Sequence, residues 1–198
     1  MTTIREGDLD FTFDATWTLV VKWDDTTTFK RGLRDQVEGS KAVDFVGLHT
    51  AGVFLIEVKD YRGSEHTPQT RNTLRDGGED LVVTVARKVR DTVAGLVGAA
   101  RHDRTTDTSK LAHAIVDPKP AVCVALWIEH AATLPRVKPS VQELRNKARG
   151  GVEFDRLQAA VRWLGARAMI CSRADSGRLP GLKVRSIGGA SRRTEPRP

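Results

Sequence analysis

The chain has 198 residues, 39% of them hydrophobic, which is enough to bury one sizeable core. No apolar run approaches the ~18 residues of a membrane span and no charged-then-apolar leader opens the chain, so we expect a cytoplasmic protein with no membrane segment that is not secreted. A balance of 32 Lys and Arg against 25 Asp and Glu leaves a net charge of +7, which suits a polyanionic partner.

In chain order, residues 9–23 (LDFTFDATWTLVVKW) have the Thr, Val, Trp and Phe content of strands. The Thr cluster of DDTTTFKRGLRDQVEG can cap a short helix over roughly 28–37, closed by Gly39. A hairpin follows over 41–48 and 53–60, turning at His49–Gly52. Residues 61–79, with Pro68 and a double glycine, read as a polar loop. From 80 to 101 the spacing is helical: Val82, Ala86, Val89, Val93, Leu96 and Val97 fall on one side, and Arg87, Lys88 and Arg90 on the other.

The stretch HDRTTDTSK reads as a mobile polar segment, and 119–129 (KPAVCVALWIE) as a buried central strand. SVQELRNKA and VEFDRLQAAVRWLG read as two helices, ARAMICSR and LKVRSI as strands. Trp17, Trp127 and Trp163 lie in apolar patterns and are expected in the core. Cys123 and Cys171, each inside an apolar run and without a CxxC pair, read as buried free thiols. The expectation is one α/β domain over 1–187, a central mixed β-sheet flanked by helices, with 188–198 as a disordered basic tail.

The hairpin (VDFVGLHTAGVFLIEVKDYRG, 43–63) carries the chemistry. If it turns symmetrically about Thr50 and Ala51, Asp44 faces Glu57 across the ladder with Cβ atoms roughly 5 Å apart. Lys59 shares that face, while Val43, Phe45, Phe54, Ile56 and Val58 take the other. Two carboxylates at that distance repel by about 3 kcal/mol at an effective dielectric near 20. A divalent cation reverses the sign, and Mg²⁺ favours carboxylate oxygens completed by water and phosphate. The Val58 carbonyl is placed as a further ligand, and Lys59 to orient a water and to stabilise charge at phosphorus. The bland alternative is an ion-pair cluster in which Lys59 and a neighbouring arginine satisfy the acids.

Asp44 in KAVDFVG with Glu57-Val58-Lys59 in LIEVKDYRG resembles the PD-(D/E)xK superfamily, the restriction-endonuclease-like fold of restriction enzymes, Holliday-junction resolvases and RecB-type nucleases. The resemblance covers the hairpin and a compatible order of elements over roughly 28–130. It implies a restriction-endonuclease-like core and a Mg²⁺- or Mn²⁺-dependent nuclease that hydrolyses DNA, in restriction, anti-phage defence or repair. By that resemblance Asp44 and Glu57 bind metal and Lys59 assists the nucleophilic water. Val43 stands where the family has proline. Members often add an upstream acid, here Glu38 or Asp35 with Glu38 preferred, and a basic residue from the following helix, here Lys88 and then Arg87. Arg62, just past the motif, is a phosphate-contact candidate. The implied partner is DNA, with RNA left open, and a homodimer or larger complex supplies any sequence choice. Two rivals stand: a non-cleaving nucleic-acid-binding or assembly subunit of the same fold, and a ribonuclease or tRNA-processing enzyme on that scaffold.

Overall fold

The computed structural model describes residues 1–62, 80–102, 107–129 and 141–187. Its strands are β1 Thr2–Glu6, β2 Leu9–Phe13, β3 Trp17–Lys22, β4 Phe45–His49, β5 Gly52–Asp60, β6 Val122–Glu129, β7 Arg167–Cys171 and β8 Leu182–Ser186. Its principal helices are α1 Thr27–Phe29, which winds on as a π-helical turn over Lys30–Arg34, α2 Leu81–His102, α3 Asp107–Val116 and α4 Val141–Ala160.

Five strands form a mixed sheet in the order β3-β4-β5-β6-β7. The first three form an antiparallel meander, whereas β5, β6 and β7 run parallel. Parallel neighbours need a crossover, and helices occupy both: α2 and α3 lie between β5 and β6, α4 between β6 and β7. A second, antiparallel sheet of three strands, β1-β2-β8, joins the start of the chain to its last described strand.

The five-stranded sheet is the middle layer. On one face Val46, Val53, Leu55, Val124 and Leu126 pack with Val82, Val85, Val89 and Leu96 of α2, Leu111 and Ile115 of α3 and Leu157 of α4. On the other face Phe45, Phe54, Ile56, Val58, Ala125 and Trp127 meet Leu9, Phe11 and Phe13 of β2 and Leu182 of β8. With both faces covered, β5 is apolar almost throughout, as a doubly buried strand must be.

The α/β class, the mixed sheet and its flanking helices match the expectation. Several local readings do not. Of HDRTTDTSK (102–110), residues 103–106 lie outside the described residues, while Asp107–Lys110 open α3, whose Ser109, Leu111, Ala112 and Ile115 are buried; its apolar spacing begins only where the polar letters end. The two helices expected around Gly150 and Gly151 are one helix, because a glycine weakens a helix without being obliged to end it. The β1-β2-β8 layer was not anticipated, and β1 carries little apolar signal because it is mostly exposed.

Val43 packs on the helical side, opposite to the expected face, because the ladder starts only at Phe45 and strict alternation does not yet apply. On α2 the buried stripe includes Thr92 and leaves Val97 37% exposed. Trp17 and Trp127 are buried as expected, but Trp163 sits in a 3-10 turn (Arg162–Leu164) with 56% of its surface exposed. Cys171 is buried and Cys123 half-buried; both are free, and burial raises both thiols, Cys171 to about 11. The expected loop beyond Arg62 and the tail at 188–198 lie outside the described residues.

Candidate active site

The hairpin has the register read from the sequence. Phe45 faces Ile56, Gly47 faces Phe54 and His49 faces Gly52 around the two-residue turn Thr50–Ala51. Gly52 has φ +141°, and a Cβ there would stand 2.1 Å from the Ala121 carbonyl oxygen, so the strand that leaves the turn requires glycine.

Before Phe45 the chain leaves the ladder, and α2 fixes where it goes. The Lys41 amide donates to Asp91 Oδ2 at 3.0 Å and the Val43 amide to Thr92 Oγ1 at 3.1 Å. Asp44 is thereby turned back over β5, where its Oδ2 accepts the Val58 amide at 2.6 Å. Its own carbonyl accepts the Trp23 amide at 2.9 Å, which ties β3's end to the same point.

Around Asp44 the charged side chains converge. The Glu57 side chain is fully buried, and its Oε1 lies 2.8 Å from Lys59 Nζ. Lys88, from α2, reaches both Glu57 oxygens, at 2.8 and 2.9 Å, and stands 3.9 Å from Asp44 Oδ1. Asp44, Glu57, Lys59 and Lys88 are thus brought together. Lys88 stands beside both of the acids expected to share a cation.

On its other side Asp44 has acids the sequence reading missed. One carboxylate oxygen each from Glu6, Asp24 and Asp44 lie within 4.8 Å of one another. Glu6 closes β1, where its Oε2 is 2.9 Å from Lys22 Nζ. Asp24 sits in the 3-10 turn Trp23–Asp25, and its Oδ1 is buried without a hydrogen-bond partner. Burial raises the Asp24 carboxyl above its usual range. For Asp44, burial first and then the Glu57 charge push the pKa up to about 7, against opposing pulls from Lys88 and the Val58 amide.

Three hard oxygen donors, one of them orphaned and one reluctant to ionise, suit a divalent cation of the Mg²⁺ or Mn²⁺ type. Glu6, Asp24 and Asp44 are the residues that would hold it. Asp24 was legible in principle, as the acid that follows a buried Trp at a strand's end. Glu6 was not, since nothing marks β1 as a strand that folds back toward the hairpin.

The remaining candidates are placed as follows. Val58 turns its side chain into the second core and reaches the site through its amide, the carbonyl remaining the candidate ligand. Glu38 lies in an exposed turn and is not among the acids clustered with Asp44; Asp35, also exposed, pairs with Arg34 at 2.9 Å. Arg62 is committed to the scaffold: its guanidinium binds Asp60, Ser186 Oγ and the Asp8 carbonyl, which staples β5 to the three-stranded sheet. Arg87 is exposed on α2, one position from Lys88 but on a different side of the helix. Glu129, buried, is satisfied by the Trp127 indole N–H, the Arg173 amide and the Arg173 guanidinium.

No protein-family model matches this chain, and no solved structure matches it. Among curated proteins it is similar to a cysteine–tRNA ligase of Neisseria meningitidis, 30% identical over 171 residues, which is 74% of this chain and 24% of that protein. The chain therefore spans about a quarter of that relative's length.

Proposed function

We propose that the protein is a Mg²⁺- or Mn²⁺-dependent nuclease with a restriction-endonuclease-like core, cleaving phosphodiester bonds at Asp44, Glu57 and Lys59. The observation that carries the reading is the convergence on one hairpin end of buried Asp44 and Glu57, two lysines and the further acids Glu6 and Asp24. An antiparallel meander followed by parallel strands after helical crossovers is compatible with that core. A cluster built for stability alone would gain little here: buried ion pairs repay their desolvation poorly, and a buried acid oxygen without a partner is a net cost.

Within this reading, Glu6, Asp24 and Asp44 hold the cation. When bound it neutralises phosphate oxygens and acidifies a water. Lys59 is 28% exposed, against 17% for Lys88 and 0% for Glu57. Its ammonium, steadied by Glu57, orients the attacking water and opposes the charge that builds on phosphorus. Lys88 neutralises Glu57 and keeps its carboxylate in place. Water adds to phosphorus, the bond to the leaving oxygen breaks, and that oxygen takes up a proton.

The kind of nucleic acid is a separate choice. DNA follows from the superfamily resemblance. RNA, tRNA in particular, is favoured by the one curated relative described above, a tRNA ligase in name. Incubating the protein with plasmid, single-stranded DNA and tRNA, each with Mg²⁺, Mn²⁺ or EDTA, separates them. Metal-dependent cleavage of one class, lost in Asp44→Ala, supports the proposal. No cleavage of any class under any metal removes it.

A further inference from the structure

α2, the end of α4 and the turn that follows it line an open groove of about 440 Å³. Val83, Ala86 and Ala160 supply an apolar floor, the Trp163 indole an aromatic wall, and Arg87 and Arg90 a basic rim, with Arg90 paired to Asp91 at 2.8 Å. Large aromatic rings are usually sheltered, and here Trp163 is 56% exposed while Trp17, Trp23 and Trp127 are at 7%, 0% and 0%.

We infer that this groove holds an unpaired nucleotide of the strand that enters the site, its base against Trp163 and its phosphates along Arg87 and Arg90. This rests on the nuclease reading, to which it adds a substrate class: single-stranded or locally unpaired nucleic acid. Three features point to that occupant. A base is planar and apolar on its faces, which suits an indole wall over small aliphatic side chains. Its phosphates need cations within a nucleotide's reach, and the chain's net charge of +7 favours an anion over a neutral apolar peptide. The groove also shares α2 with the cluster: Arg87 belongs to the groove and the next residue, Lys88, on a different side of the helix, to Glu57.

The protein's tryptophan content makes the test selective. With three of four tryptophans buried, acrylamide-quenchable emission reports on Trp163. The full chain in EDTA is titrated with short unpaired DNA, the same sequence as RNA, and the DNA duplex. The unpaired strands should change the emission and protect it from acrylamide; the duplex should do so far less, and the stronger of the first two identifies the sugar. Trp163→Ala should weaken unpaired-strand binding, read by anisotropy of a labelled oligonucleotide, at least tenfold; Trp163→Phe, which keeps an aromatic ring, should weaken it less while abolishing the quenchable signal. Unchanged affinity in Trp163→Ala, or protection by duplex as strong as by either strand, overturns the inference, and a protein partner would then be the better occupant. Strand-dependent protection without metal-dependent cleavage would retain the groove and reject the nuclease reading; cleavage without protection would do the reverse.

Discussion

Burial first, and then the neighbouring Glu57 charge, push the Asp44 carboxyl up to about 7 from an ordinary 3.8, against the pull of Lys88 and of the Val58 amide that donates to it. The fold prefers it protonated. That preference stabilises the protein fully below pH 3.8 and is lost as pH rises through about 7, because the unfolded chain then ionises more readily. In EDTA, the stability of wild type relative to Asp44→Asn should therefore fall between about pH 4 and pH 8 by on the order of a few kcal/mol, measured by urea unfolding. A difference that stays flat with pH would mean that Asp44 is not strained. Divalent cations act with the opposite sign, since they bind the carboxylate and not the acid. Added Mg²⁺ should raise the melting temperature more at about pH 8 than at about pH 5, and Asp44→Ala should cancel the gain. The Lys88–Glu57 pair makes a separate prediction. Lys88→Ala leaves a fully buried carboxylate with Lys59 alone and should cost about 3 kcal/mol, much of which Glu57→Gln in the same chain should restore.

Among the elements, the hairpin was the most legible. A two-residue turn and the period-2 pattern fix register, so from Phe45 to His49 residues whose numbers sum to 101 do pair. What the pattern could not show is where the ladder stops. Asp44 lies one residue outside it, placed by bonds from α2 that no local period encodes. Lys88 was named from the resemblance alone, because on a helix flank only the neighbouring layer decides between solvent and site. Trp163 was read as core from its apolar neighbours, but the 3-10 turn that follows α4 leaves it 56% exposed. The glycine pair in α4 was read as a break, and this too can be checked. Gly151 is exposed and helical, and a Cβ there would touch nothing within 4 Å. Gly151→Ala should stabilise by about 0.5–1 kcal/mol in chemical unfolding, as expected for a helix interior, whereas a loss of stability would indicate that the helix is interrupted there.

At the scale of the molecule, three layers share one buried sheet, and the candidate site lies where all of them meet. Glu6 comes from the three-stranded layer, Asp24, Asp44, Glu57 and Lys59 from the middle sheet and its connections, and Lys88 from the helices. Composition and period revealed the middle layer and its helices; the outer sheet, and with it Glu6, depends on long-range pairing of β2 with β8 that sequence order hides. Converging charge from three layers is costly to assemble and gives chemistry a rigid frame, which is why the cluster is read as a site and not as a staple. The most direct test is cleavage of labelled nucleic acid by wild type and Lys59→Ala in Mg²⁺, Mn²⁺ and EDTA, with binding followed in parallel. The account predicts cleavage by wild type only with metal, and a Lys59→Ala variant that binds nearly as well but cuts at least a hundredfold more slowly. Equal cutting by both proteins, or cutting that survives EDTA, would contradict it.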